Sequence, residues 1–470
     1  MAKNFDVLII GGGAAGLTAA VFSARAGKSA AIICPDKLGH KLSITGKGRC
    51  NLTNDSDNQT ITKNLPRGGR FMFSALNAFS SADTMAFFEE LGVPLKTERG
   101  RRVFPVSDRA WDVVDALKRE LARLKVPVIS ERAVQILTHS GEGSLAEGFR
   151  SPHSHAKGED SGAARPPQSG GQAAACGGAS PERSSGGAAP DFSSPHPSGE
   201  DGKPSVRGVK TDKGVYYAEK VILATGGLSY PATGSTGDGY KMAKALGHSI
   251  TPLKGSLVPM ETEESCVEAA GLTLKNVTLT LTDGQASKPL FKELGEVSFT
   301  AFGISGPLTL SASSYVGDAD KNRYRAELDL KPALDEKKLD LRLQRDFGEN
   351  GGSTLEQALR KLMPAQLIPL FLRRVSVPAC KRAGEISKAQ RQELVSALKR
   401  FSLTIKRLRP VEEAIITDGG AELREINPKT MESKLVRGLY FAGEILDVTG
   451  FTGGFNLQVA FSTAFAAANG

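Results

Sequence analysis

Six residues near the start of the chain, Gly11-Gly12-Gly13-Ala14-Ala15-Gly16, stand between a short apolar run (Phe5–Ile10) and a helix-forming one (Leu17–Ala26). This is G-x-G-x-x-G after a strand and before a helix, a spacing that suits the pyrophosphate of a dinucleotide. Gly11 permits a tight turn, and Gly13 lets the backbone approach the phosphates with no side chain between. Gly16 lets the helix pack closely on the sheet. The first helical residues, Ala14 and Ala15, offer amide donors at the positive end of the helix dipole. A second apolar run, Ala30–Cys34, completes a strand–helix–strand unit whose strands should be parallel. The usual pattern ends that second strand with a carboxylate for the adenosine ribose. Here Cys34 falls at that position, with Asp36 the nearest acid. Either Asp36 reaches the ribose or the contact is lost.

Three later segments turn a generic dinucleotide turn into an expected FAD site. Val221–Gly227 reads V-I-L-A-T-G-G, and its strand running into Thr225 and Gly226 resembles the second fingerprint of two-dinucleotide-binding-domain flavoproteins. Gly438–Asp447 reads G-L-Y-F-A-G-E-I-L-D. There Gly443 and Glu444 occupy the place of a carboxylate that hydrogen-bonds the ribityl chain, with Asp447 as a second candidate. Gly450–Asn456 reads G-F-T-G-G-F-N before the last predicted helix. The amides at Gly454, Phe455 and Asn456 are placed to stabilise negative charge on the N1/O2 side of reduced flavin.

For catalysis, the loops expected around the flavin ring carry Arg49, Asn51, Tyr230 and Thr452. Reduction of an enone needs a hydride, a proton and hydrogen-bond donors on the carbonyl, where negative charge develops. Arg49 and Asn51 are candidate donors and Tyr230 a candidate acid, although a packed loop tyrosine has the same sequence signature. Cys50 reads as a small buried residue sooner than as a redox thiol. The five cysteines are scattered with no Cys-x-x-Cys pair, and the six histidines form no pair. No metal site or disulfide framework is expected, which fits a reducing cytoplasm.

Stepping outward to the elements, the expected class is α/β: a Rossmann-like FAD-binding domain with an inserted β-barrel-like domain and a small helical domain. The FAD-binding domain is assigned to residues 1–138, 206–250 and 402–470, the β-rich domain to 251–333, and the helical domain to 334–401. Residues 139–205 are rich in Ser, Gly, Pro, Ala and His and poor in large apolar side chains. Such a composition predicts a disordered insert, tolerated in a loop tip because closure entropy rises slowly with length. The longest apolar stretch, Val7–Ala26, is broken by glycines, so no membrane span is expected. Lys and Arg outnumber Asp and Glu by nine, 60 against 51. Much of the excess lies between Arg342 and Arg409, either as a solvated helical face or as a surface for an anion such as a nicotinamide dinucleotide or RNA. No second G-x-G-x-x-G marks a separate nicotinamide domain, so NADH or NADPH is expected to visit the flavin transiently or to bind on that basic region.

The chain also resembles a specific family, the HI-type, YhiN/BaiN-like flavoproteins, also known as the aminoacetone oxidase family. The resemblance rests on Lys37–Lys41 (K-L-G-H-K), Thr45–Asn54 (T-G-K-G-R-C-N-L-T-N), Glu98–Ser107, Ala224–Gly239, Phe299–Pro307, Ile426–Val436 and Phe441–Phe461. It spans nearly the whole chain outside the 139–205 insert. What it implies is an FAD domain built from both chain ends, with Lys41 among the cofactor-site residues. Its 3-dehydro-bile-acid reductase branch implies reduction of a ring double bond conjugated to a ketone, in a small apolar, steroid-like substrate. Nucleic acid is not the expected partner. An amine oxidase and an RNA-associated flavoprotein stand as the alternatives.

Overall fold

The computed structural model describes residues 3–139, 202–284, 288–317 and 323–470. Nearly all of the predicted insert, residues 140–201, lies outside the described residues. The first strand, Lys3–Ile10, is the heart of a parallel sheet. Val7, Leu8 and Ile9 are fully buried, as expected of a strand covered on both faces, which reads as a continuous apolar run instead of an alternating one. It pairs in parallel with Ala30–Ile33 on one side (Val7 opposite Ala30) and with Val215–Leu223 on the other (Ile9 opposite Ile222). Val128–Ile129 extends the sheet beyond Ala30–Ile33.

The strand Val215–Leu223 has a divided outer edge. Its first half pairs antiparallel with Ser205–Thr211, which in turn pairs with Ala133–His139. Its second half pairs in parallel with Leu439–Phe441. The C-terminal part of the chain therefore returns to within one strand of the N-terminus. The final helix, Phe455–Asn469, packs against the first helix, Ala14–Arg25. Both are rich in small residues, so their backbones approach closely.

The second core belongs to a closed six-stranded barrel in the order Met260–Thr262, Gly303–Ser305, Phe291–Thr300, Thr273–Asp283, Tyr324–Asp329, Phe401–Leu408. Closure comes from Met260–Thr262 pairing with Phe401–Leu408. The sequence boundary at 401/402 therefore falls at the start of a barrel strand, and the last piece of the dinucleotide domain begins beyond Leu408. That strand alternates buried and half-buried residues from Phe401 to Ile405, but it follows a long helical stretch and so reads as part of the next domain. Between the longer helices Glu336–Glu349 and Lys388–Lys399, the helices are short and interrupted by prolines. Leu339, Leu343, Phe371, Leu394 and Leu398 are buried in the same cluster as the barrel interior. Short helices of this kind cannot close a core alone, and here they share one with the barrel.

Most of the basic excess in this region is committed to ion pairs: Arg373 with Glu268, Arg374 with Glu264, Arg391 with Asp340, Arg400 with Glu336 and Arg409 with Glu261 and Glu413. Among the described residues no helix is long and apolar enough to cross a membrane.

Candidate functional site

The glycine turn is fixed by backbone contact. A Cβ on Gly16 would stand 1.9 Å from the carbonyl oxygen of Gly11, and one on Gly11 2.3 Å from that of Ala224. Gly11 also has φ +112°, a conformation that L side chains rarely adopt. Gly13 is different. Its φ is −84°, and a Cβ there would meet no protein atom within 4 Å. It is the N-cap of the first helix, and no side chain caps the helix's amides. Free donors facing open space beside a position kept bare are what a pyrophosphate requires, so these residues fit the group. Ala14 and Ala15 follow as the first helical residues.

At the adenosine end, Cys34 closes the second strand with its amide donating to Ile129 (3.0 Å). Its Sγ donates to the Asp36 carbonyl (3.5 Å), and burial pushes the thiol upward. Asp36 is exposed and lies against Gly234, where a Cβ would stand 2.6 Å from its carboxylate. The Asp36 carboxylate has no hydrogen bond or ion pair among the described residues and remains free to accept from a ligand.

Between the two ends sits a side-chain knot that the sequence did not reveal as a unit. Glu444 is the middle residue of a short 3₁₀ turn, Gly443–Ile445, after Leu439–Phe441, with Gly443 at φ +78°. Its Oε2 accepts from Lys41 Nζ (2.7 Å), and its Oε1 accepts from Ser229 Oγ (3.0 Å) and the Thr417 amide (2.8 Å). Lys41 Nζ also donates to Ser229 Oγ (2.6 Å). A carboxylate offers about four lone-pair positions, so Glu444 keeps one unspent. Ser229 and Thr417 went unrecognised. The nearest signal was a glycine pair close to each, Gly226-Gly227 upstream of Ser229 and Gly419-Gly420 downstream of Thr417. Tyr240 donates to the Glu444 carbonyl (3.3 Å), and burial, then the Glu444 charge, pushes its phenol well up. Asp447 instead pairs with Arg67 (3.0 Å). Thr225 has its hydroxyl buried with no partner, pressed against the space where Gly239 lacks a side chain. Gly226 turns the chain at φ +73°.

The loop before the last helix is held by side chains from far away. Asn456 Oδ1 accepts from the Gly450 amide (2.8 Å), and its Nδ2 donates to the carbonyls of Gly450 (2.8 Å) and Phe451 (3.3 Å). Asn54 Nδ2 donates to the Gly453 and Gly100 carbonyls, both at 3.0 Å. Gly454, at φ +97°, is the helix N-cap with no side-chain cap, and a Cβ there would meet the Thr53 carbonyl at 2.3 Å. Phe455 is buried behind it.

The three catalytic candidates do not converge. Asn51, with its amide oriented to satisfy its neighbours, donates to the Thr53 carbonyl (3.2 Å) and accepts from the Gly454 amide (3.1 Å). It therefore belongs to the glycine loop. Arg49 is spent elsewhere: it pairs with Glu98 (2.5 Å) and Asp108 (2.6 Å) and lies over the Phe104 ring at 4.2 Å. With both carboxylates bound, the guanidinium is not presented to a carbonyl. Tyr230 caps a 3₁₀ turn at φ +53°, and its hydroxyl has no hydrogen bond among the described residues. Cys50 is fully buried and its thiol is pushed up to about 12 by burial, which removes it as a nucleophile near neutral pH. Among the described residues no group of three or more His, Cys, Asp or Glu could hold a metal. Two cavities, of about 150 and 380 Å³, lie away from these loops, one beside Leu330 and Met363 and the other beside Val93 and Asp112.

One family model matches the chain. It describes the HI0933-like protein Rossmann domain and covers residues 5–156 and 198–470. The chain belongs to the HI0933-like family. This HI0933-like chain is thus built on a Rossmann-like FAD-binding domain, in a family of flavoprotein oxidoreductases. It is 28% identical over 465 residues to 3-dehydro-bile acid delta(4,6)-reductase of Clostridium scindens, covering 98% of this chain and 97% of that protein. It is also 28% identical over 477 residues to the ribosomal RNA dihydrouridine synthase of Haemophilus influenzae, covering 100% and 98%. Among solved structures, 3-ketosteroid-delta4-(5alpha)-dehydrogenase from Rhodococcus jostii RHA1 aligns with a TM-score of 0.46 at 12% identity, covering 99% of this chain and 97% of the other.

Proposed function

We propose that this chain holds FAD along the loops just described and reduces a carbon–carbon double bond conjugated to a carbonyl, with NADH or NADPH as the electron source. The substrate is a small apolar, steroid-like ketone. The observation that carries the cofactor assignment is Gly13, kept bare over open space at an uncapped helix start. Bound flavin supplies the hydride. The protein's own work is to orient: the Gly13–Ala15 amides take the pyrophosphate, Glu444 receives a ribityl hydroxyl while Lys41 holds its carboxylate in place, and the Phe455 and Asn456 amides face the pyrimidine edge. Thr452 lies in that same loop. Asn51 keeps the loop in shape, and Tyr230 retains a free hydroxyl for proton donation.

The named relatives support the reaction type. One reduces a dehydro bile acid by its name, and the other makes dihydrouridine, which differs from uridine by saturation of the C5–C6 bond. That bond too is conjugated to a carbonyl. RNA is accordingly the second reading of the substrate, favoured by the second relative and by the net charge of +9. Anaerobic reduction of the bound flavin by NADH or NADPH, followed by reoxidation with enones, uridine-containing RNA, amines or oxygen, separates the readings. Reoxidation by a 4-ene-3-oxo steroid is the expected result. Absence of reoxidation by any enone overturns the proposal, and reoxidation by RNA alone transfers it to the second reading.

A further inference from the structure

Tyr315 is where the two cores meet: its ring packs against both the dinucleotide-domain cluster and the barrel cluster. It follows the helix Pro307–Ser313, whose Leu308 fills the space left by the missing side chain of Gly295 on the barrel strand Phe291–Thr300. The Tyr315 ring centroid lies 5.8 Å from that of Phe451 and 5.9 Å from that of Phe291, and those two are 6.5 Å apart. Phe451 belongs to the glycine loop before the last helix. The same junction is stitched by Ser311 Oγ and Thr452 Oγ1, 3.3 Å apart.

Glu293 stands two residues beyond Phe291. At the period of a strand it shares a face with Phe291, Val297 and Phe299, all buried. Glu293 itself is nonetheless exposed to solvent. It makes no hydrogen bond or ion pair among the described residues, and neither does the Tyr315 hydroxyl. The Tyr315 side chain is half-buried. Desolvation raises the Glu293 carboxyl; burial, then the Glu293 charge, raises the Tyr315 phenol. The phenol therefore stays protonated as a donor. An apolar wall of aromatic rings with one or two unspent polar groups is the usual composition of a site for a small apolar ligand.

We propose that this junction takes the carbonyl end of the substrate: the Tyr315 hydroxyl donates to the ketone oxygen, and Phe291 and Phe451 cover the adjoining ring. This rests on the enone reading above and places its substrate. The Glu293 charge acts on the Tyr315 phenol with no hydrogen bond between them. The neighbouring side chains on its strand, Lys292 and Leu294, point to the opposite face. A carbonyl ligand that loses the phenolic donor loses one hydrogen bond while keeping its apolar contacts.

The test uses FAD-loaded enzyme and a 4-ene-3-oxo steroid as probe, with binding followed by flavin absorbance and by equilibrium dialysis. Tyr315→Phe, which keeps the ring, is expected to weaken binding at least tenfold while FAD content and melting temperature stay at wild-type values. A steroid lacking the 3-ketone should bind wild type and Tyr315→Phe equally. Wild-type binding of the ketone by Tyr315→Phe overturns the placement alone. Failure of wild-type enzyme to bind the steroid overturns the substrate reading and the placement with it.

Discussion

The two glycine-rich helix starts present the same thing to a ligand, a row of uncapped amides, but they are built from different materials. At Gly11–Gly16 the shape is enforced by backbone against backbone: Gly16 against Gly11, and Gly11 against Ala224. At Gly450–Asn456 the Gly454 backbone also stands against that of Thr53, but side chains do most of the holding. Asn456 brackets the loop, while Asn54 reaches it from 399 residues away. Thr53 hydrogen-bonds Gln458 inside the final helix across a separation of 405 residues. A backbone-built turn is rigid because nothing in it can rotate. A loop held by side chains depends on every element that carries one of them.

That contrast can be broken, most severely at Gly16. Gly16→Val puts atoms where the Gly11 carbonyl already is, and the helix cannot move off the sheet without opening the core. We expect loss of more than ~3 kcal/mol, read as loss of cooperative thermal unfolding. Gly13→Val should behave oppositely. Its side chain meets only open space, so the apoprotein should melt as wild type does, while FAD content falls on the order of a hundredfold. A Gly13 variant that still binds FAD normally removes the pyrophosphate assignment.

Asn456→Ala comes next. It deletes three part-buried hydrogen bonds of the second loop, for a loss of about 2 kcal/mol in denaturant unfolding and a weaker hold on FAD. If stability is unchanged, the second loop is also backbone-built and the contrast disappears.

The smallest effect concerns the far end of the first helix. There Arg25 pairs with Glu120, which Arg123 also holds. The side-chain hydrogen bond from Arg123, opposed by burial and reinforced by Arg25, brings the Glu120 carboxyl down to about 2. Because its folded value lies below the unfolded one, its stabilisation is complete above the ordinary carboxylate range and is lost as pH falls through about 2. Glu120→Gln should therefore cost about 1 kcal/mol at pH 7 and flatten the acid limb between pH 5 and 2, measured by urea unfolding at each pH.

The same contrast accounts for what could be read in advance. Strand, turn, helix and second strand follow from local pattern, because a bare glycine has a local cause. The Ala-Thr-Gly and Gly-Glu segments were likewise visible as strand ends. The Lys41–Glu444 pair joins residues 403 apart, and no local spacing announces it. Arg49 stood in a motif-rich stretch, but its fate was decided by Asp108, 59 residues on. The barrel's sixth strand was mistaken for the next domain because a helical stretch separates it from the other five. Two residues, Tyr315 and Glu293, carried no motif at all. Their interest arises only where the barrel strand and the glycine loop are brought side by side.

The return of Leu439–Phe441 to the N-terminal sheet also imposes an order on synthesis. Every barrel strand has been made once Leu408 is made, whereas the sheet begun at Lys3 still lacks Leu439–Phe441 and its covering helix Phe455–Asn469. During translation the barrel is expected to reach a protease-resistant state first, with the nascent dinucleotide domain left open around it. Chains released after about residue 412 should yield a resistant fragment starting near residue 251, and digestion that spares the N-terminal segment instead would reverse that order.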